Sequence, residues 1–285
     1  MLRRLSFSMV LLIMAASCGA GPIMRRSFRT SDGVNLSYLE AGHEYAGKKP
    51  LAIALVPGWS MPAAIWRQQL EALGQNYHTL ALDPRGQGES DVPATGYTAE
   101  RRATDLKEFL ELFSNILLVG WSLGGIESLQ YIHMYGAARL AGLVPVDSSV
   151  GEEPAPPPGG TFKQRLREDR DKVLHEFMRA IFAKPRSEEE ISELVRGAKR
   201  MALEDSLALL DYPFERLHWR RITRAFKKPL LYAVTPQFAA QAANLKKNRP
   251  ATEVQVFKAA GHALFVDQPE RFNRSIEDFA KSLAR

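Results

Sequence analysis

Residues 116–125 read Ile-Leu-Leu-Val-Gly-Trp-Ser-Leu-Gly-Gly, an apolar run that leads into the pattern Gly-x-Ser-x-Gly. The apolar run predicts a buried strand of a parallel sheet, and residues 123–135 predict a helix directly after the serine. A serine at such a sharp strand-to-helix turn takes a strained backbone conformation. Glycines are needed on both sides because larger side chains there would collide. The stretch therefore predicts that Ser122 is a nucleophile presented at the end of the strand.

Strands and helices alternate along the chain on both sides of this stretch. Strand patterns occur at residues 27–30, 34–39, 51–56, 79–82, 116–119, 140–146, 229–234 and 253–257. Helix patterns occur at residues 63–73, 99–113, 123–135, 236–248 and 269–283. Alternation of this kind is typical of an α/β fold, in which crossover helices connect parallel strands. We therefore predict a mostly parallel sheet flanked by helices.

The alternation is interrupted in the middle of the chain. Residues 153–160 contain four prolines and two glycines, which is typical of a linker. Residues 161–225 carry helical patterns and no convincing strand pattern. We therefore predict a helical lid inserted into the sheet domain. The predicted boundaries are 151–225 for the lid, and 22–150 together with 226–285 for the sheet domain.

A nucleophilic serine needs a general base, and histidine is the usual one. His262 lies in Gly261-His262-Ala263, after a predicted strand and before the last predicted helix. From that loop it can point over the carboxyl ends of the strands toward Ser122. A packed or solvated side chain is the better interpretation for the other five histidines, His43, His78, His133, His175 and His218. The sequence therefore predicts a Ser122–His262 pair.

From about residue 25 to 285 the chain resembles the α/β-hydrolase superfamily. The resemblance rests on the Gly-x-Ser-x-Gly pattern at 120–124, on Asp-Pro-Arg-Gly-Gln-Gly-Glu-Ser at 83–90, and on Gly261-His262. Gly-Trp-Ser-Leu-Gly-Gly is also similar to the same turn in small carboxyl-ester hydrolases such as the pimeloyl-carrier-protein methyl esterases. That match covers six residues and carries no substrate assignment. The resemblance implies an α/β-hydrolase sheet with an inserted lid.

The resemblance also implies an oxyanion hole, which is a pair of backbone N–H groups that stabilise negative charge on the substrate oxygen. Carried over to this chain, the two donors are the N–H groups of Leu123 and Trp59. The family usually has His-Gly before the second donor, whereas this chain has Pro57-Gly58. Trp59 still supplies its own N–H, but the hydrogen bonding of the loop must differ from the family pattern.

A catalytic histidine is normally oriented by a carboxylate. The family commonly places this acid after the strand at 229–234, but residues 216–252 contain no Asp or Glu. A less common family arrangement places it one strand earlier, where Asp147 follows the strand at 140–146. Asp267 is the rival candidate, although it is also expected to cap the last helix. The resemblance thus implies Asp147 as the acid.

These residues predict a serine hydrolase that cleaves a carboxylic ester or a related acyl bond through a Ser-His-Asp triad and an acyl-enzyme. The substrate would be a small acyl compound, and no metal or cofactor is implied. Apolar pocket walls are expected from Trp59, Trp121, Phe265 and either Phe162 or Phe177. Alternatives are a lactonase, thioesterase, C–C hydrolase or cofactor-free peroxidase on the same site. A further alternative is a non-catalytic, lipid-anchored binding protein.

Residues 1–21 predict an export signal. Arg3 and Arg4 precede the apolar segment 10–14, which is too short to span a bilayer. Cys18 is the only cysteine, and its setting resembles the lipobox of bacterial lipoproteins. This resemblance implies acylation of Cys18 and a lipid anchor in the bacterial cell envelope. The alternative is cleavage nearby with loss of Cys18, which would give a periplasmic or secreted protein.

Composition limits the classes of partner. Hydrophobic residues make up 45% and charged residues 25% of the chain, which excludes a disordered or fibrous protein. The formal charge is +6, and residues 161–228 contain 17 Lys and Arg against 12 Asp and Glu. No basic tail or aromatic-basic repeat suggests nucleic acid. The lid cations could face anionic lipid or simply form a solvated surface. Those concerned are Arg216, Arg220, Arg221, Arg224, Lys227 and Lys228.

Overall fold

The computed structural model describes residues 21–48, 51–155 and 160–283. In these residues one sheet contains eight strands: β1 Met24–Arg29, β2 Asn35–Ala41, β3 Ala52–Val56, β4 His78–Leu82, β5 Ile116–Trp121, β6 Leu140–Val146, β7 Leu231–Val234 and β8 Glu253–Val256. Their spatial order is β1-β2-β4-β3-β5-β6-β7-β8. β2 is antiparallel to both of its neighbours, and the other pairs are parallel. The predicted mostly parallel sheet is confirmed.

The central strands are apolar on both faces because helices cover both sides of the sheet. Along β3, Ile53 and Leu55 point into one hydrophobic core, whereas Ala54 and Val56 point into the other. This is the two-residue period of a strand. β5 pairs with β3 on one side and β6 on the other. The carboxyl ends of β3, β5, β6 and β7 therefore meet at one edge of the sheet.

Each helix predicted outside the lid is present among the described residues, and one short helix, Leu264–Asp267, was not predicted. The α-helices are α1 Arg67–Leu73, α2 Ala99–Leu110, α3 Leu123–Tyr135, α4 Phe162–Glu168, α5 Arg170–Ala180, α6 Glu188–Ala198, α7 Leu203–Ala208, α8 Arg216–Ala225, α9 Ala239–Asn248, α10 Leu264–Asp267 and α11 Pro269–Leu283. Two predicted helices begin with a short 3₁₀ turn, at Ala63–Trp66 and at Pro236–Phe238. α4 to α8 lie between β6 and β7, where the sequence predicts the lid.

Part of the cationic surplus of the lid is neutralised within the fold. Arg216 and Arg220 both form ion pairs with Glu153. Arg224 forms an ion pair with Glu152, whose side chain is buried. Three of the six cations proposed to face lipid are thus bound to acidic side chains of the chain itself. These contacts favour the interpretation of this face as an ordinary paired surface.

No described helix has the length and apolarity needed to cross a membrane. Residues 1–20, which hold Cys18 and nearly all of the predicted export signal, lie outside the described residues. The signal and the lipid anchor therefore remain predictions from the sequence.

Candidate active site

Ser122 lies in the turn between β5 and α3. Its backbone angles are φ 54° and ψ −117°, a conformation that L-residues rarely adopt. A Cβ atom on Gly120 would lie 2.4 Å from the Gly124 carbonyl oxygen, and one on Gly124 would lie 2.6 Å from the Val56 carbonyl oxygen. Such strain costs about 1–3 kcal/mol and persists at sites of function. The turn predicted from the sequence is thus present, and both glycines are required by close backbone contacts.

Asp147 and His262 are joined by a hydrogen bond. His262 Nδ1 lies 2.8 Å from Asp147 Oδ2, and the Asp147 side chain is fully buried. The other carboxylate oxygen, Oδ1, accepts the N–H of Thr235 at 2.7 Å. Asp147 itself has a positive φ of 42° at the end of β6. An Nδ1–H donated to this carboxylate leaves Nε2 of His262 free to accept a proton.

A cavity of about 270 Å³ brings the predicted site residues together. Its lining includes Ser122, Asp147 and His262, and also the predicted oxyanion-hole residues Trp59 and Leu123. The apolar wall consists of Ile126, Leu209, Leu210, Tyr212 and Phe238. Among the described residues that line the cavity, none is Lys or Arg, and Asp147 is the one carboxylate. Ser122 Oγ and His262 make no hydrogen bond to each other in the described chain, and such catalytic contacts often tighten only when substrate binds.

The two predicted oxyanion donors are free. In the described part of the chain, neither the Leu123 N–H nor the Trp59 N–H donates a hydrogen bond to a protein acceptor. Buried N–H groups are almost always paired in proteins. Two unpaired donors beside the strained serine are therefore available to a ligand oxygen.

Gln87 explains how the oxyanion loop is held without the usual histidine. The Gln87 side-chain N–H groups donate to the carbonyl oxygens of Gly58 and Met61, at 3.1 and 2.8 Å. Its Oε1 accepts the N–H of Ser60, which has a positive φ of 58°. One buried amide thus fixes three main-chain groups on either side of Trp59. The sequence motif at 83–90 contained Gln87, but its role was missed because these partners are 26 to 29 residues away.

The wall of the cavity differs in part from the prediction. Trp121 and Phe265 were expected to line it, but both are buried behind it, and their rings contact each other at 5.1 Å. The Trp121 indole N–H donates to the His262 carbonyl oxygen at 2.9 Å. Trp121 thus supports the histidine loop. The lid residues Phe162 and Phe177 pack edge-on against Trp59, at 5.7 and 5.5 Å between ring centres.

Asp267 does not contact the imidazole, and its expected role as a helix cap is also not what the structure shows. Its carboxylate is fully buried and accepts the N–H groups of Gly261 and Ala183, each at 2.8 Å. Ala263 N–H donates to Ile181 at the end of α5. Both the His262 loop and the lid present N–H groups to this carboxylate, and these contacts replace the expected helix cap. Asp267 therefore fastens the His262 loop to the lid.

Comparison with known proteins finds similar sequences and structures over most of this chain. The family model described as "Alpha/beta hydrolase family" matches residues 53–275. A pimeloyl-[acyl-carrier protein] methyl ester esterase of Vibrio vulnificus is 26% identical over 263 residues, which cover 80% of this chain and 93% of that protein. A bromoperoxidase from Bacillus anthracis superposes with a TM-score of 0.78 at 23% identity, covering 90% of this chain and 100% of the other.

A second solved structure, an esterase from Exiguobacterium antarcticum, superposes with a TM-score of 0.77 at 21% identity, over 90% of this chain and 100% of that one. Structural likeness at this level of identity shows the fold, and enzymes of different activity share it. The family assignment rests instead on the sequence match over residues 53–275, which contains both the Ser122 turn and the His262 loop. The chain belongs to the alpha/beta hydrolase family.

Proposed function

We propose that the protein is a serine hydrolase that cleaves a carboxylic ester through a Ser122–His262–Asp147 triad. One observation carries this proposal: a strained serine shares a small cavity with a carboxylate-bonded imidazole and two unpaired N–H groups. Acyl transfer needs a nucleophile, a base and an oxyanion site within reach of one reacting carbon. The esterases among the similar proteins support an ester as the bond cleaved.

In the proposed mechanism, Ser122 Oγ attacks the ester carbonyl carbon while His262 Nε2 takes the hydroxyl proton. The carbonyl oxygen becomes an oxyanion that accepts the N–H groups of Trp59 and Leu123, each worth roughly 10²–10³ in rate. His262 then protonates the departing alkoxide, which leaves as an alcohol. Water attacks the acyl-enzyme with His262 again as base, a role worth roughly 10²–10⁴. The acid is released and Ser122 regains its proton.

The cavity limits the substrate class. At about 270 Å³ it lies just below the roughly 300–1,000 Å³ typical of pockets for drug-sized ligands. Its apolar wall and its lack of Lys and Arg among the described lining residues disfavour an anionic acyl group. We therefore propose short, uncharged apolar acyl chains. p-Nitrophenyl acetate and butyrate should be cleaved with higher kcat/KM than the palmitate ester.

The test combines labelling with turnover. A fluorophosphonate probe should label the purified protein at Ser122, and Ser122→Ala should abolish both labelling and ester hydrolysis without lowering Tm. Ser275→Ala is the control and should keep both labelling and hydrolysis, because this serine lies on α11 and its hydroxyl bonds the Arg271 carbonyl oxygen of the same helix. Absence of labelling, together with no turnover of any ester, lactone or thioester in a panel, would favour the non-catalytic alternative. Substantial hydrolysis by purified Ser122→Ala protein would contradict the proposal.

We also propose, from the sequence pattern alone, that the protein is exported and acylated at Cys18. In the lipoprotein families that the segment resembles, the cysteine becomes the new N-terminus. Intact-mass analysis of the membrane fraction should then show a chain that begins at Cys18 with added acyl mass. A mature N-terminus downstream of Cys18, without acyl mass, would contradict this proposal and leave the catalytic one untouched.

A further inference from the structure

A cluster of three metal-ligating side chains lies at the opposite edge of the sheet from the cavity. Glu40 is near the end of β2, His78 begins β4, and His43 lies in the short 3₁₀ turn His43–Tyr45 that follows β2. One ligand atom from each residue lies within 4.8 Å of the other two. β2 and β4 are antiparallel neighbours, so the fold itself brings Glu40 and His78 together. The proposed hydrolysis uses none of the three.

The distances in this cluster are close to those of a coordination shell. Glu40 Oε1 lies 2.7 Å from His78 Nε2 and 3.2 Å from His43 Nδ1. Zinc binds imidazole nitrogen and carboxylate oxygen at about 2.0–2.1 Å in tetrahedral geometry, which places neighbouring ligand atoms about 3.3 Å apart. Of the three separations, that between Glu40 and His43 already matches, and that between Glu40 and His78 needs to open by about 0.6 Å. The third, between His43 and His78, is within 4.8 Å. A metal ion at the centre would take the place of the protons in the contacts between Glu40 and the two histidines.

The surroundings suit a bound cation. Glu40 is 4% exposed, and its carboxylate lies within hydrogen-bond distance of His78, His43 and Arg26. Its second oxygen, Oε2, accepts Arg26 Nε at 3.0 Å, which orients the carboxylate and leaves Oε1 toward the histidines. The Arg26 side chain is 44% exposed, so water screens its charge. A surface groove lined by all three ligands gives an ion access.

We propose that Glu40, His43 and His78 form a site for a divalent transition metal ion such as Zn²⁺, with water completing the shell. Two imidazoles and one carboxylate are a donor set that zinc prefers over Mg²⁺ or Ca²⁺. The ion would tie the turn at His43 to β2 and β4, at the edge of the sheet far from Ser122. The competing interpretation is a proton-only network, in which Glu40 simply pairs with its neighbours. The proposal does not rest on the proposed hydrolase function.

The test measures Zn²⁺ binding to the full chain by titration calorimetry. All proteins are made without a histidine tag and with Cys18→Ser, because the single thiol would itself bind zinc. We expect one ion per chain and a rise in Tm of about 5 °C when Zn²⁺ exceeds the Kd by 100-fold. His43 is the decisive position because its side chain is 58% exposed, so His43→Ala should fold normally.

His43→Ala should weaken binding by at least about 100-fold, since loss of groups that merely support metal ligands already costs 10- to 100-fold. His175→Ala in α5 is the matched control and should leave the affinity unchanged. His78→Gln should match His43→Ala if it folds. The proposal is overturned if saturable binding of one Zn²⁺ is absent, or if His43→Ala and the control bind equally well.

Discussion

Two buried aspartates hold the His262 loop from opposite sides, and they do so in different ways. On the sheet side, Asp147 contacts the imidazole itself and also the main-chain N–H of Thr235, directly after β7. On the lid side, Asp267 makes its short hydrogen bonds with main-chain N–H groups, those of Gly261 and Ala183 at 2.8 Å, and its other oxygen lies 3.9 Å from the Arg186 guanidinium. The first contact sets the tautomer and orientation of the ring, whereas the second sets the path of the loop. Under the proposed mechanism, the same residue type serves catalysis on one side and the position of the loop on the other.

The largest effect should come from breaking the sheet-side contact. Asp147→Asn replaces an acceptor with an amide whose N–H₂ group faces His262 Nδ1 and disfavours the Nδ1–H tautomer. Losing that tautomer costs about 10⁴ in kcat in the serine-protease precedent. We expect a loss of similar size, measured as kcat on the best ester, with folding checked by Tm. Near-full activity in Asp147→Asn would remove Asp147 from the triad, and a dyad would then explain any remaining turnover.

A second large effect should follow from releasing the oxyanion loop, which also belongs to the sheet side. Gln87→Leu removes the three hydrogen bonds that fix Gly58, Ser60 and Met61. If the Trp59 N–H is displaced, kcat should fall by about 10²–10³ while KM changes little. Gln130→Leu, which replaces a buried glutamine in α3, should lower Tm without this selective fall in kcat. Equal changes of kcat in both variants would mean that Gln87 is only a packing residue.

A smaller, mainly structural effect is expected on the lid side. Asp267→Asn removes the charge from the acceptor of the Gly261 and Ala183 N–H groups and places an amide N–H₂ at the Oδ1 position, which faces Arg186. Hydrogen bonds to a charged group contribute about 1.5–3 kcal/mol each. We therefore expect the free energy of unfolding to fall by about 2 kcal/mol, seen as a lower midpoint in urea. The kcat at a temperature where the variant is folded should fall far less than for Asp147→Asn. If Asp267→Asn lowered kcat more than Asp147→Asn, the roles assigned to the two aspartates would have to be exchanged.

The smallest effect should come from Trp59→Phe. This change keeps the main-chain N–H but removes the indole N–H that donates to Ser206 O at 2.6 Å. One neutral hydrogen bond contributes about 0.5–1.5 kcal/mol to stability, so the midpoint of unfolding should shift slightly and kcat on a small ester should remain within about tenfold. A loss of kcat as large as that of Gln87→Leu would show that the indole contact positions the donor.

Local sequence patterns predicted the strands, the Ser122 turn and the His262 loop, because these depend on neighbours within a few residues. The choice of Asp147 was implied by the family resemblance, which allows an acid one strand earlier, together with the absence of a carboxylate in residues 216–252. What the sequence did not predict are contacts across the fold. Trp121 to His262 spans 141 positions, and Ala183 to Asp267 spans 84. Hydrophobic periodicity says that such residues are buried but does not say which polar atom each one reaches.

Trp59 belongs to two parts of the molecule at once. It lines the cavity, where its main-chain N–H is a proposed oxyanion donor, while its indole bonds to α7 and packs against Phe162 and Phe177 of the lid. If the proposed oxyanion role is correct, docking of the lid and binding of an oxyanion depend on the same residue. The two events are then coupled, and the coupling has a free energy. Such coupling is reciprocal, so a ligand in the oxyanion hole should stabilise the docked lid by the same factor by which the docked lid tightens the ligand.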